Sequence, residues 1–243
     1  PGAVKLLPGV ELAIKSLVSP GEVITTGYSF PATWALLIED ERWDPVFVDI
    51  DDGFCLDPDL VEAAITPRTT AIFGVHAYGY PCDHDRLRAI ADRHGLPLLY
   101  DAAPCFGETV DGRGIGSLGD LSAFSFHATK VYNTLEGGCL VGSETALAAA
   151  NARRNFGLGE GGAPVCIGQN AKMDEVRAMF GLLNLRRVHA AIAQRRAVEE
   201  YYLARLPDLG IEEIDLCVAR LRRPGFVSNH GYFPVLVRPG CGL

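Results

Sequence analysis

Residues 70–101 decide the fold class. They begin with Thr70-Ala-Ile-Phe-Gly-Val-His76, continue through a helix-like stretch closed by Gly95, and end with Leu96-Pro-Leu-Leu-Tyr-Asp101. Both outer stretches are continuous apolar runs of the kind found in strands that are buried on both faces. The stretch between them, residues 83–93, is typical of a helix, and glycine is favoured just beyond a helix end. Strand, helix and strand in this order predict a parallel pair joined by a crossover helix.

The same alternation runs from about residue 10 to about residue 155. Further strand-like stretches lie at residues 22–26, 45–50, 121–126 and 138–142. Helices are predicted at residues 10–17, from Pro31 and from Asp57, where aspartate is a favoured cap and Pro58 a favoured first-turn residue. The pattern therefore predicts an α/β fold with a largely parallel sheet covered by helices on both faces.

The pattern changes in the last third of the chain. A glycine-rich loop at residues 157–162 precedes long helix from Met173 to about Leu206, with apolar residues at helical spacing. Residues 210–216 and 232–237 then indicate the beginning of a new unit that contains β-structure. We therefore divide the chain into a large domain with its long helices, residues 1–207, and an incomplete second domain, residues 208–243.

Composition excludes several functional classes. The chain has 243 residues and a net charge of -8, which argues against general affinity for nucleic acid or acidic membrane surfaces. No apolar run approaches the length of a membrane span, and no signal peptide is evident. Its seven cysteines never form a CxxC pair, which favours a reducing cytoplasm, and no spacing fits a common zinc site, so no metal is predicted.

Lys130 is the first candidate for chemistry. Only four of the 22 lysines and arginines are lysines, and this one lies in Phe124-Ser-Phe-His-Ala-Thr-Lys130, directly after a predicted strand. A buried lysine can be neutral and bond covalently to an aldehyde cofactor, whereas a guanidinium group stays charged. An isolated lysine in such a loop is more often a solvent-exposed side chain.

Asp101 is the second candidate, because it ends a predicted strand and is followed by small residues. In an open α/β sheet, ligands bind beyond the carboxyl ends of the strands. A carboxylate in that place can pair with the protonated ring nitrogen of a pyridoxal cofactor. An isolated aspartate there is more often a cap for the following loop.

In combination, these residues and their neighbours make the sequence resemble the DegT/StrS family of sugar-nucleotide aminotransferases, which are pyridoxal-phosphate (PLP) enzymes of fold type I. The resemblance covers about residues 10–207 in family order. The matching stretches are Gly21-Glu-Val-Ile-Thr-Thr-Gly-Tyr-Ser-Phe-Pro-Ala-Thr33, Pro45-Val-Phe-Val-Asp-Ile-Asp51, Ile65-Thr-Pro-Arg-Thr-Thr70, Val75-His-Ala-Tyr-Gly-Tyr-Pro-Cys-Asp83, Tyr100-Asp-Ala-Ala103, Ser125-Phe-His-Ala-Thr-Lys130, Glu136-Gly-Gly138, Arg154-Asn-Phe-Gly157 and Asn170-Ala-Lys-Met-Asp-Glu175.

The resemblance implies roles for five residues. Lys130 matches the family's Schiff-base lysine, and Asp101 matches the aspartate that faces the pyridine nitrogen. Phe30 matches an aromatic ring on the cofactor face, and Ser125 matches a hydroxyl that contacts the cofactor phosphate. Asn170 matches an asparagine that reaches the phosphate of the neighbouring subunit, which implies a homodimer with a shared site.

The family fold implied is a large domain with a mostly parallel seven-stranded sheet, plus the start of a small C-terminal α/β domain. Two departures stand out. Lys5-Leu-Leu-Pro-Gly-Val10 lies where the family has a Ser- or Thr-containing phosphate turn, and Pro104 lies where glutamine or histidine is common. Because proline has no N–H, Pro104 cannot donate a hydrogen bond to the cofactor. Relative to the family, the chain is expected to be truncated at both ends.

The activity implied is transamination of a nucleotide-linked keto-deoxysugar, a 4-keto-6-deoxyhexose, with an amino acid such as glutamate as the donor. The family's dehydratases carry histidine where Lys130 stands, so the lysine favours transamination. The competing hypothesis is a non-catalytic remnant, or a half-enzyme that needs another polypeptide. It follows from the expected truncation and from the missing Ser or Thr hydroxyl of the phosphate turn.

Overall fold

The computed structural model of the chain describes residues 6–206, 214–215 and 223–237. Helices and strands alternate along it as the apolar pattern predicts. The α-helices are α1 (Leu6–Leu17), α2 (Ala35–Glu39), α3 (Pro58–Ala64), α4 (His84–His94), α5 (Glu144–Arg154), α6 (Glu175–Leu185) and α7 (Val188–Arg205). The longer strands are β1 (Gly21–Thr25), β2 (Trp43–Phe47), β3 (Thr69–Val75), β4 (Leu98–Asp101), β7 (Leu121–Ser125) and β8 (Gly138–Gly142). Two-residue strands are β5 (Thr109–Val110), β6 (Arg113–Gly114), β9 (Ile214–Asp215), β10 (Phe226–Val227) and β11 (Leu236–Val237).

The six longer strands form one sheet in the order β2-β1-β3-β4-β7-β8. All neighbouring pairs are parallel except β7 and β8, which are antiparallel. The prediction of a largely parallel α/β sheet is confirmed. Within the described residues the sheet has six strands rather than the seven that the resemblance implies. All six apolar stretches of the sequence are used in it, and the remaining short strands pair elsewhere.

Apolar side chains fill both faces of this sheet. On one face α1, α2 and α5 pack through residues such as Ile14, Leu37 and Ala150. On the other face α3, α4 and the first turn of α7 pack through residues such as Val61 and Leu87. Burial on both faces is the physical reason why the strand sequences are continuously apolar instead of alternating.

Local signals place the helix ends. Asp57 accepts a hydrogen bond from the Asp59 N–H at the start of α3, and Gly95 ends α4 in the left-handed conformation, as predicted. The predicted helical stretch after Met173 is two helices, because the chain turns at Arg186 and Arg187. No helix within the described ranges is both long and apolar enough to cross a bilayer.

The segment at residues 223–237 joins the rest of the protein through β10, which pairs with β5 in the loop after β4. The two-residue strands β9 and β11 pair only with each other among the described residues. Parts of the predicted second domain, including residues 210–213 and 216–222, lie outside the described residues. The division at residue 207 stays a prediction.

Replacing Leu98 with alanine should lower the free energy of unfolding by about 2–5 kcal/mol, because Leu98 is fully buried in the central strand β4 and leaves a cavity. Urea unfolding measures the change. The matched control is Leu60→Ala, at an exposed position of α3, which should cost less than about 1 kcal/mol. Equal losses in the two variants would contradict the assignment of β4 to the centre of the sheet.

Candidate functional site

A cavity of about 390 Å³ lies at the carboxyl ends of the parallel strands. Four loops contribute to it: those that follow β1, β3, β4 and β7, together with the segment at residues 223–237. The residues that line it are Gly27, Tyr28, Ser29, Phe30, Val75, His76, Ala77, Tyr78, Asp101, Ala103, Pro104, Lys130 and Tyr232. Parallel pairing brings strand ends to one edge, so residues far apart in sequence meet here.

Asp101 is the carboxylate of this cavity. It is 6% exposed, and its two oxygens accept hydrogen bonds from the Thr33 hydroxyl at 2.7 Å and from the Ala103 N–H at 2.9 Å. Burial raises the pKa of Asp101, whereas the two hydrogen bonds and the charge of Lys130 act in the opposite direction. Ser29 donates to Thr33 at 2.7 Å, so the carboxylate is oriented by a short hydroxyl chain.

Lys130 lies in the loop between β7 and β8, and its backbone N–H donates to His127 O at 2.9 Å. Its Nζ donates to the Tyr232 hydroxyl at 2.9 Å and lies 5.5 Å from the centre of that ring. Within the described part of the chain, Lys130 and Asp101 face the same cavity without forming an ion pair. The amine is therefore held against a phenol.

Phe30 precedes the short 3-10 helix Pro31–Thr33 that follows β1. Phe30 is 70% exposed and lines the cavity. An amine, a carboxylate and a flat aromatic ring around one cavity can hold a planar aromatic aldehyde with a basic ring nitrogen. The structure thus brings together Phe30, Asp101 and Lys130.

The other two predicted site residues lie elsewhere. Ser125 is fully buried at the end of β7, where its hydroxyl accepts a hydrogen bond from the His127 N–H at 3.2 Å, and it does not line the cavity. Asn170 is exposed, pairs through its backbone with Asn155, and also lies outside the cavity lining. Their predicted contacts with a phosphate stay predictions.

His76 lines the cavity, and packing and hydrogen bonding within the protein hold its ring in place. It is fully buried, its ring stacks on Tyr100 with centroids 4.3 Å apart, and its Nδ1 accepts a hydrogen bond from the Cys82 N–H at 3.1 Å. Burial, with a smaller electrostatic effect from His84, lowers the pKa of His76 to about 3. The ring is therefore neutral at physiological pH, with its proton on Nε2.

Sequence reasoning missed the residues that anchor the segment at 223–237. Asn229 is buried, and its side chain donates to the carbonyl oxygens of Pro104 at 2.7 Å and Phe106 at 3.0 Å. Its N–H donates to Glu108 Oε1 at 3.2 Å. These contacts span more than 100 residues of sequence, and no local periodicity or motif marks them.

Glu108 is itself an unusual residue, since it is a carboxyl group buried beside the Cys105 thiol and the Ser228 hydroxyl. Burial raises its pKa to about 8, which means that it is largely protonated at neutral pH. Gly79 faces it closely: a Cβ atom there would lie 2.7 Å from Glu108 Oε1. The backbone of this turn therefore approaches the carboxyl group in a way that favours glycine.

Comparison with known proteins identifies relatives of this chain in sequence and in fold. The sequence profile of the DegT/DnrJ/EryC1/StrS aminotransferase family matches residues 9–238. The chain is 41% identical over 227 residues to dTDP-4-amino-4,6-dideoxy-D-glucose transaminase from Shigella dysenteriae, and this match covers 93% of the chain and 60% of that relative.

Solved structures agree with this match. The chain superposes on the crystal structure of DesI in the presence of its TDP-sugar product with a TM-score of 0.87 and 40% identity, over 96% of this chain and 59% of that one. It superposes on ntda from Bacillus subtilis with bound cofactor PMP at a TM-score of 0.86 and 28% identity, over 98% and 55%. The chain thus spans less than two thirds of the length of each of these three relatives.

The buried Glu108 predicts a pH-dependent stability. Between its ordinary value of 4.5 and about pH 8, the unfolded chain has lost this proton while the folded protein still binds it. Stability should therefore fall as the pH rises through this window, by about 1.4 kcal/mol per pH unit for one proton, and level off above it.

Glu108→Gln should remove this contribution and flatten the profile measured by urea unfolding from about pH 5 to about pH 9. Glu41→Gln, at an exposed loop glutamate, is the matched control and should keep the wild-type profile. Parallel profiles for wild type and Glu108→Gln would show that Glu108 is not the responsible group.

Proposed function

The chain belongs to the DegT/DnrJ/EryC1/StrS aminotransferase family, and on this premise we propose that it is a PLP-dependent aminotransferase of nucleotide-linked keto-deoxysugars. The proposal rests on one observation: Lys130, Asp101 and Phe30 line the same cavity. The relative from Shigella dysenteriae is named for a dTDP-linked 4-amino-4,6-dideoxyglucose. This name supports a 4-keto-6-deoxyhexose as the amino acceptor, and glutamate is the proposed donor.

The residues of the cavity fit PLP. Its volume of about 390 Å³ is within the range of small-molecule sites. Lys130 supplies the amine for the cofactor aldehyde, Asp101 supplies a carboxylate for the ring nitrogen, and Phe30 supplies a flat apolar surface for the ring. When bound, the cofactor withdraws electrons from the carbon atom that loses a proton.

Asp101 would supply the negative charge that faces the cofactor ring nitrogen, and its hydrogen-bond donors would orient it. Since Thr33 and Ala103 hold both carboxylate oxygens, the side chain is fixed before any ligand arrives. Burial disfavours the ionised carboxylate, and a protonated ring nitrogen beside it would favour that form again. The cost of burying Asp101 is thus offset in the complex by a matching positive charge.

Lys130 Nζ would move protons. With its amine neutral, Nζ takes the proton from the α-carbon of the amino donor in one half of the reaction. In the other half, Nζ delivers a proton to the sugar carbon that receives the amino group. The wall formed by Tyr28 and Tyr78, whose hydroxyl groups lie 2.6 Å apart, would exclude water and offer hydroxyls to the sugar.

Lys130→Ala should abolish covalent attachment of PLP to the protein. Wild-type protein is mixed with PLP, treated with borohydride and digested, and mass spectrometry locates the modified peptide, which should contain Lys130. Lys172→Ala is the matched control, because Lys172 is an exposed lysine that lies over the Phe156 ring outside the cavity. A trapped adduct that survives Lys130→Ala would overturn the assignment.

Transfer of the amino group from glutamate to a dTDP-4-keto-6-deoxyhexose is then assayed with the same protein. Formation of the aminosugar supports the proposed function. Loading of Lys130 without transfer would support the half-enzyme or remnant hypothesis instead, since the cofactor site would be present and the reaction absent.

We also propose that two copies of the chain form the working unit. The apolar side chains of α6 lie largely in solvent: Val176 is 68% exposed, Met179 60% and Leu182 64%. Contiguous apolar surface of this kind typically marks an interface. Asn170, just before α6, lies outside its own chain's cavity lining, which is compatible with a role in the cavity of a second copy.

Met179→Asp should convert a dimer into monomers and weaken PLP binding at least tenfold, because a buried charge opposes association and the shared site is lost. Sedimentation velocity and absorbance titration measure the two effects. Leu60→Asp, at an exposed leucine of α3, is the control and should leave the dimer intact. A monomeric wild type that binds PLP tightly, or unchanged PLP affinity in Asn170→Ala, would contradict the shared site.

The cytoplasm is the proposed location. The five cysteines within the described ranges are all free thiols, and three of them, Cys55, Cys82 and Cys105, are buried. Free thiols are typical of a reducing compartment.

A further inference from the structure

Tyr232 is the residue that the described structure places against the amine of Lys130. The Lys130 Nζ donates to its hydroxyl at 2.9 Å, and the ring centre lies 5.5 Å from the same nitrogen. The two residues are separated by 102 positions in sequence, yet both line the same cavity. Neither sequence pattern nor the resemblance assigned a role to Tyr232.

The backbone before Tyr232 is held to the loop after β4 by Asn229. The Asn229 side chain bridges the carbonyl oxygens of Pro104 and Phe106, and its N–H donates to Glu108. These partners belong to the loop that follows Asp101. The segment is therefore tied to the same loop that carries the carboxylate of the cavity.

A second contact, made by the His230 side chain, fixes this backbone to α7. His230 Nδ1 lies 2.6 Å from Glu199 Oε2, and the side chains are only 12% and 5% exposed. A carboxyl group buried in a largely exposed helix needs such a partner, because burying a polar group without a hydrogen bond is unfavourable. Two buried polar contacts thus hold the residues on the N-terminal side of Tyr232.

The ring of Tyr232 has a third support in the cavity wall. Its centroid lies 5.9 Å from that of Tyr78, with the ring planes inclined by 56°. Tyr78 in turn shares a hydrogen bond with Tyr28. The hydroxyl of Tyr232 is consequently a fixed point rather than the end of a free side chain.

A lysine side chain has four flexible carbon–carbon bonds, and its freedom is worth about 2 kcal/mol of rotamer entropy. In the proposed reaction, Lys130 must leave the cofactor and then act on a substrate carbon from a defined place. An amine that samples several rotamers would be in the reactive position for only part of the time. Misplacement of a reacting group by about 1 Å is enough to slow an enzyme strongly.

We propose that Tyr232 is a positioning residue for Lys130: its hydroxyl holds the lysine amine inside the cavity whenever that amine is not joined to the cofactor. This role rests on the proposed function. The role requires the hydroxyl, because the hydroxyl accepts the hydrogen bond from Lys130. The aromatic ring has a separate contact, with Tyr78. Asn229 and His230 serve it indirectly, because they determine where the hydroxyl lies.

Tyr232→Phe removes the hydroxyl and keeps the ring. Three quantities are compared with wild type: PLP affinity by absorbance titration, the rate at which the borohydride-trapped adduct forms at Lys130, and the glutamate half-reaction, resolved into a limiting rate and a KM. We expect PLP affinity and the KM for glutamate to stay within about threefold. Adduct formation and the limiting rate should each fall about tenfold, as for loss of one typical hydrogen bond.

Tyr201→Phe is the matched control, at an exposed tyrosine of α7 outside the cavity, and should match wild type in every measurement. Urea unfolding of Tyr232→Phe reports on folding. A lower unfolding midpoint with unchanged rates would make Tyr232 a packing residue and overturn the proposal. Unchanged rates with an unchanged midpoint would also overturn it.

The proposed function fails in a distinguishable way. If wild-type protein forms no adduct at Lys130, both proposals are overturned together. If wild type loads PLP and Tyr232→Phe loads it equally fast, only the role of Tyr232 is overturned. Slow loading in Tyr232→Phe at normal affinity supports it, because a defect in binding would lower the affinity as well.

Discussion

The parallel pairing of β4 with β3 and β7 is the constraint on which the site depends. Because all three strands run in one direction, Val75, Asp101 and the loop that carries Lys130 come to the same edge of the sheet. The backbone of Asp101 is fixed from both sides: His76 donates to its carbonyl, and the next N–H, of Ala102, donates to Ala123. The carboxylate is then oriented by Thr33 and Ala103. The chemistry of the cavity is thus built on backbone hydrogen bonds of the sheet.

A second set of interactions attaches the late segment of the chain to this edge. Glu108 and Glu199 are buried carboxyl groups on different elements, and each contacts a residue just before Tyr232. Burying such groups is costly unless they are partnered, so their partners specify one position for the segment. Glu108 is kept largely protonated by burial, and it can therefore lie beside a thiol and a hydroxyl without an opposing cation.

The surface carries the two features on which the proposed dimer rests. The exposed apolar face of α6 and the position of Asn170 outside the cavity lining both favour a second copy. Ser125 accepts a backbone hydrogen bond from the His127 N–H, and its contact with a phosphate stays a prediction.

By itself, the sequence determined the α/β class, the six strands and their largely parallel arrangement, because continuous apolar runs separated by capped helices have few other solutions. It also marked Lys130, Asp101 and Phe30, since each follows or ends a strand within a stretch that matches the family. It could not determine the separation of α6 from α7, the proton held by Glu108 or the contact between Lys130 and Tyr232. Those features depend on residues that are far apart in the chain, and burial, partners and distances between such residues exist only once the tertiary structure has formed.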